Sequence, residues 1–162
     1  MNYRLVARVL SMSLLTEAAL LLLPVGIAIY YGESPAPFLL TILALVVTAG
    51  PLRLCKVRSR DFYAREGFAS VSLSWIALSV YGALPFIFSG EIPSFVDALF
   101  ETVSGFTTTG ASILSHVEGL PMGILFWRSF THWIGGMGIL VFVLAVLPAV
   151  EAVSYTHLTL PT

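Results

Sequence analysis

Four apolar stretches dominate this chain of 162 residues, at 9–31, 38–54, 67–88 and 124–147. Each is close to the roughly 20 residues that take a helix across a bilayer. Only Glu17 and Pro24 interrupt the first, and Pro51 lies near the end of the second. Charged residues make up 10% and the mean hydropathy is +0.93, where a soluble domain carries about 25% charge. The first stretch follows Arg4 and Arg8 as a secretory signal core would, but it is longer than such a core and no small-residue cleavage pattern follows it. It is read as a retained span. The expected fold class is an all-α polytopic membrane protein.

The basic residues orient the spans. Arg4 and Arg8 precede the first, and Arg53, Lys56, Arg58, Arg60 and Arg65 lie between the second and third, which makes seven of the eight Lys and Arg. The loops at Glu33 and from Glu91 to Glu118 carry none. The positive-inside rule then puts the N-terminus and the 53–65 loop in the cytoplasm. The basic loop reads as a topology signal, with anionic-lipid contact as the alternative. Tyr30 and Tyr31 suit the outer interface. A net charge of −1 gives no reason to expect nucleic-acid binding, and the single cysteine, Cys55, excludes a disulfide within the chain.

Between the third and fourth spans lies EIPSFVDALFETVSGFTTTGASILSHVEGLP. It begins and ends on the outer side. Phe95, Ala98, Leu99, Val103 and Phe106 recur at helical spacing and predict an apolar face, with Asp97, Glu101 and Ser104 on other faces. Pro93 or Ser94 starts this helix and Gly105 stops it. Some eleven residues reach about half the hydrocarbon thickness, so the helix dips in without crossing. Its C-terminal carbonyls point toward mid-membrane and favour a cation there. Thr107 to Ala111 follow directly. Non-helical backbone at membrane depth persists only when buried in protein or lining a water-filled path. An extended strand there can line up carbonyl oxygens that replace an ion's hydration shell, and Gly110 opens backbone angles closed to threonine. The competing reading is a polar outer loop after an interfacial amphipathic helix.

The motifs GALPF, D-A-x-F-E-x-x-S-G-F-T-T-T-G-A and WIGGMGI lie in one order over 82–139, and with their surroundings this chain resembles the N-terminal part of the TrkH/TrkG/KtrB potassium transporters over roughly 1–150. The resemblance implies two accessory transmembrane helices (1–55), a basic cytoplasmic loop (56–66) and the first of four helix, pore-helix, helix repeats (67–150). Within that repeat it implies an outer helix at 67–88, a pore helix at 94–104, a filter at 107–111 and an inner helix at 120–148. It further implies potassium bound at Thr108, Thr109 and Gly110, with Thr107, Ala111, Glu101 and Arg128 in support. Potassium is the transported ion, passing alone or in symport, and no cofactor is expected. The implied setting is the bacterial inner membrane, with a homodimer as the assembled state and a cytoplasmic nucleotide-binding TrkA-type subunit as partner. The family carries four repeats where this chain has one, and the tail 151–162, including VSYTHLTLPT from Val153, is unlike the family. A truncated gene product with an artefactual terminus is therefore expected.

Arg128 is the one basic residue inside a span, and it is expected to pair with Glu101. It shares a helical face with His132. Glu17 raises the same question with no partner in view. Gly135, Gly136 and Gly138 suit close helix packing or a bend rather than phosphate binding. His116, Glu118 and His132 are too few and too scattered for a zinc site. An enzyme is not expected. The alternative function is a non-transporting membrane scaffold or assembly subunit.

Overall fold

The computed structural model describes residues 3–54 and 64–158, with side chains described for 3–53 and 66–140. Cys55, Lys56, Arg58, Arg60 and the last four residues lie outside the described residues, as does the side chain of Arg65. All regular structure among the described residues is helical: α1 (Tyr3–Leu20), α2 (Leu22–Tyr30), α3 (Ala36–Leu54), α4 (Ala64–Gly82), α5 (Leu84–Ser89), α6 (Phe95–Phe106) and α7 (Met122–Leu158).

Three of these rods are long and apolar enough to cross a membrane: Tyr3–Tyr30, Ala36–Arg53 and Glu66–Ser89. The first and third are each interrupted by one residue, Leu21 and Ala83. Proline accounts for both breaks. Pro24 has no N–H for the Leu20 carbonyl, and Pro85 none for that of Tyr81, so the ladder opens just upstream of each ring. Pro51 sits in the last turn of α3, where the loss is tolerated. The fourth expected span, 124–147, lies within the longer α7.

Packing follows the chain order. α1 lies against α3 and α4, α2 and α6 against α7, and α5 against α3. The buried centre joins Leu14, Leu21, Phe38, Phe86, Ala98 and Trp127. Trp127 satisfies its indole by donating to the Gly82 carbonyl at 2.9 Å, beside the break between α4 and α5. The outer sides of α1 and α3 stay apolar and exposed, with Met12, Leu39, Leu43 and Val47 among them. Apolar rods with uncovered apolar outer sides are what a bilayer solvates.

Candidate functional site

α6 begins where its sequence predicts. Ser94 has extended backbone, and its hydroxyl accepts from the Asp97 N–H. Twelve residues give a rod of about 18 Å, short of the roughly 30 Å hydrocarbon core.

Its end differs from expectation. The helix runs through Gly105 to Phe106, and the left-handed residue that closes it is Thr108, at φ +57°. The Thr109 N–H donates to the Ser104 carbonyl and the Thr108 N–H to that of Gly105, both at 2.9 Å. This is a Schellman closure. Gly105 serves packing instead, because a Cβ there would overlap the Thr131 hydroxyl of α7. The segment 107–111 is accordingly not an extended strand throughout: Thr107 and Thr108 form a turn, and the backbone leaves helical geometry from Thr109. Gly110 has φ +75°, as its residue type anticipates.

The hydrogen bonds of this segment divide its carbonyls. That of Thr107 accepts from the Thr108 hydroxyl at 2.7 Å, and that of Ala111 from the Ser104 hydroxyl at 2.6 Å. Among the described residues, the carbonyls of Thr108, Thr109 and Gly110 accept none. The Thr107 hydroxyl reaches back to the Val103 carbonyl at 2.7 Å and lies 2.8 Å from that of Thr109. Side chains thus tie both ends of a loop whose three middle residues are exposed.

Glu101 holds the far side of the loop. It is 2% exposed, and its carboxylate accepts from Arg128 Nε at 2.5 Å, from the Ser112 hydroxyl at 3.0 Å and from the Ile113 N–H at 3.1 Å. The pair expected with Arg128 is therefore present, and it joins α6, the loop and α7 at one point. Gly135 lets α7 close on α6, since a Cβ there would overlap the Phe106 carbonyl. Gly138 admits the Trp75 ring, which a Cβ would meet at 2.9 Å.

Of the other candidates, His116 and Glu118 are exposed on the loop between α6 and α7, whereas His132 stays near the site, its Nδ1 3.0 Å from the Arg128 carbonyl. No group of metal-binding side chains occurs among the described residues.

Sequence reading missed Glu33. From the short loop between α2 and α3 its carboxylate accepts from the N–H groups of Met122 and Gly123, at 2.6 and 2.9 Å. It caps α7, nearly ninety residues away, where the helix end is positive. The only available signal was one acidic residue in an uncharged turn.

Comparison with known proteins covers most of this architecture. Residues 33–158 match the family model described as TrkH, cation transport protein, a match that runs past Val153 into the segment expected to be unlike the family. The Trk system potassium uptake protein TrkH of Salmonella typhimurium is 36% identical over 152 residues, covering 91% of this chain and 31% of the relative. The TrkG protein of Escherichia coli is 36% identical over 128 residues, covering 77% of this chain and 26% of the relative. The crystal structure of the potassium transporter TrkH from Vibrio parahaemolyticus superposes with a TM-score of 0.85 at 32% identity, over 99% of this chain and 38% of that one. The chain thus spans about a third of the length of the curated TrkH relative it matches.

Proposed function

The chain belongs to the TrkH family of cation transport proteins, and from that premise we propose that it forms one wall of a potassium uptake pathway, with the carbonyl oxygens of Thr108, Thr109 and Gly110 replacing water around the passing ion. One observation carries the reading. Of five consecutive residues, the outer two have their carbonyls engaged by side-chain hydroxyls, and the middle three find no partner for theirs among the described residues, at the foot of a helix too short to cross. Exposed, unpaired backbone at membrane depth is tolerated where it faces a water-filled path.

Each remaining part has a place in this reading. The C-terminal dipole of α6 adds partial negative charge behind the ion. Glu101 and Arg128 neutralise each other while locking the return of the loop onto α7, so they position the oxygens without competing as ligands. Thr107 and Ala111 mark the two tied ends. One such loop supplies one side of an ion's shell, and the remaining sides come from parts of the transporter beyond this segment. The two accessory helices correspond to α1–α3, and the first repeat to α4–α7. The membrane is the bacterial inner membrane, with the N-terminus in the cytoplasm in keeping with Arg4, Arg8 and the basic 53–65 loop. The complete transporter acts as a homodimer with a TrkA-type nucleotide-binding subunit on that side.

The test is potassium or rubidium uptake by the complete transporter carrying this segment, in cells lacking their own uptake systems. Gly110→Ser, which puts a side chain at φ +75°, is expected to cut uptake or the preference for potassium over sodium by about tenfold, the equivalent of ~1.4 kcal/mol. Unchanged uptake with unchanged preference removes the assignment. A cysteine at position 108 separates this reading from a scaffold: in a conduction path potassium protects it from thiol reagents, and in a hydrated outer loop it does not.

A further inference from the structure

Away from the conduction segment the chain buries a second set of oxygens that its packing does not satisfy. Glu17 of α1 is 3% exposed, and neither carboxylate oxygen has a hydrogen-bond partner. It stands against the end of α6: the position a Cβ of Gly82 would take is met by Thr102, by Phe106 and, at 3.2 Å, by Glu17 Oε1. Phe106 is the residue from which Thr107 departs. Ser70 of α4, 1% exposed, likewise leaves its hydroxyl unpartnered.

These groups fall in register. Ser13 of α1 donates to the Ser74 hydroxyl of α4 at 3.1 Å, and further along both helices Glu17 approaches Gly82. The two helices therefore run parallel. On α4 the buried Glu66, Ser70 and Ser74 recur every fourth residue, on one face and about 6 Å apart along the axis. On α1, Ser13 and Glu17 continue that row by one more turn. Beside its inner end lies a cavity of about 300 Å³, with Ser13, Thr16, Glu17, Leu78, Phe106 and Ile134 in its lining. Ser13, Thr16 and Glu17 bring the oxygens to a lining that is otherwise mostly apolar.

We propose that Glu17 is a proton-binding site, reached along the Glu66–Ser70–Ser74–Ser13 file, whose occupancy sets the position of the α6 end and hence the flux through the segment it carries. The proposal rests on reading that segment as a potassium path. A hydronium ion at the Glu66 end gives up its proton, water and hydroxyl oxygens relay it, and a Glu17 carboxylate oxygen accepts it. One O–H bond forms, one breaks, and a water is left behind. Among the described residues no counter-charge competes at the inner end. On α1 Arg8 lies more than two turns away, and on α4 Glu66 is at the far end of the file while Tyr81 packs on the apolar core. α6 commits Glu101 to Arg128, α7 places His132 on the Arg128 carbonyl, and Arg53 of α3 is in that helix's exposed last turn. A charge that appears and disappears beside Phe106 without compensation is costly, and that cost biases the packing around it.

The experiment uses the complete transporter in lipid vesicles, with rubidium uptake and infrared difference spectra followed as the pH is stepped from mildly acid to mildly alkaline. Wild-type uptake is expected to vary at least about fivefold, the lower range of coupling between two sites, and Glu17→Gln to vary less than about twofold. A carboxyl C=O stretch that tracks pH in the wild type is expected to vanish in Glu17→Gln. Ser74→Val, which cuts the file and leaves the acceptor, slows the response to a pH step without changing its end point. Identical pH profiles and spectra in wild type and Glu17→Gln overturn the proposal. If Glu17→Gln fails to insert, a Ser74→Val response as fast as wild type overturns it. A wild type that carries neither rubidium nor potassium defeats the functional reading instead, and the infrared band then decides on Glu17 alone.

Discussion

Thr108 is a β-branched residue at φ +57°, a conformation that glycine adopts freely and threonine reaches at a cost of about 1–2 kcal/mol. The strain persists because two backbone bonds and the Thr108 hydroxyl bond to Thr107 over-determine the turn. Thr108→Gly is therefore expected to raise thermal stability by about 1 kcal/mol while lowering potassium preference, since the freed turn no longer fixes the neighbouring oxygens. Melting in detergent and flux in vesicles read the two effects separately. The glycines of α7 are a second residue-scale matter. Gly135→Ala drives a Cβ into the Phe106 backbone and is expected to cost about 1–3 kcal/mol, as overpacking does. Gly136→Ala meets nothing closer than the Thr108 methyl at 3.8 Å and is expected to be tolerated. Thermal shifts of the two variants side by side check the pair. Sequence alone offered close packing for all three glycines of GGMG and did not separate the one with room from the two without.

At the scale of elements, α6 follows only in part the rule that the sequence invites. Of its apolar positions Ala98 and Phe106 are buried, but Phe95 and Val103 are exposed, at 48% and 39%, while Glu101, Thr102 and Ser104 are buried. Periodicity identifies a helix and its two faces, but in a membrane protein the oily face need not be the one that packs, because lipid and neighbouring helices solvate it equally well. The buried polar face instead carries the contacts that hold the loop. Removing Arg128 leaves the Glu101 charge buried without its counter-ion, so Arg128→Met is expected to cost about 3 kcal/mol. The double variant Glu101→Gln/Arg128→Met is expected to be less destabilised than the two single effects summed, which a double-mutant cycle on melting temperature measures. Glu33 acts on another element end. Glu33→Gln weakens the cap on α7 and is expected to cost about 0.5–2 kcal/mol, read by the same melt.

For the whole molecule the decisive surface is the apolar one that the described residues leave uncovered. Val47, 62% exposed on α3, stands in a span. Val47→Arg is expected to cost about 2.5–3.5 kcal/mol of insertion, seen as loss from the membrane fraction. A membrane protein, the helical class, three of the four expected spans and a short helix after the third were legible in the sequence, because each follows from the length and spacing of runs of apolar residues. Motif order was enough to indicate the family. The sequence could not reveal which carbonyls of Thr107–Ala111 stay unpaired, that Thr108 rather than Gly105 closes α6, that Glu33 caps a helix nearly ninety residues away, or that Glu17 and Phe106 converge beside Gly82. Those depend on how close two helices come and which side chains meet, and such distances are decided by packing between segments far apart in the chain. Local residue pattern determines what each segment is; only the assembled helices decide which of its polar atoms are left over to do chemistry.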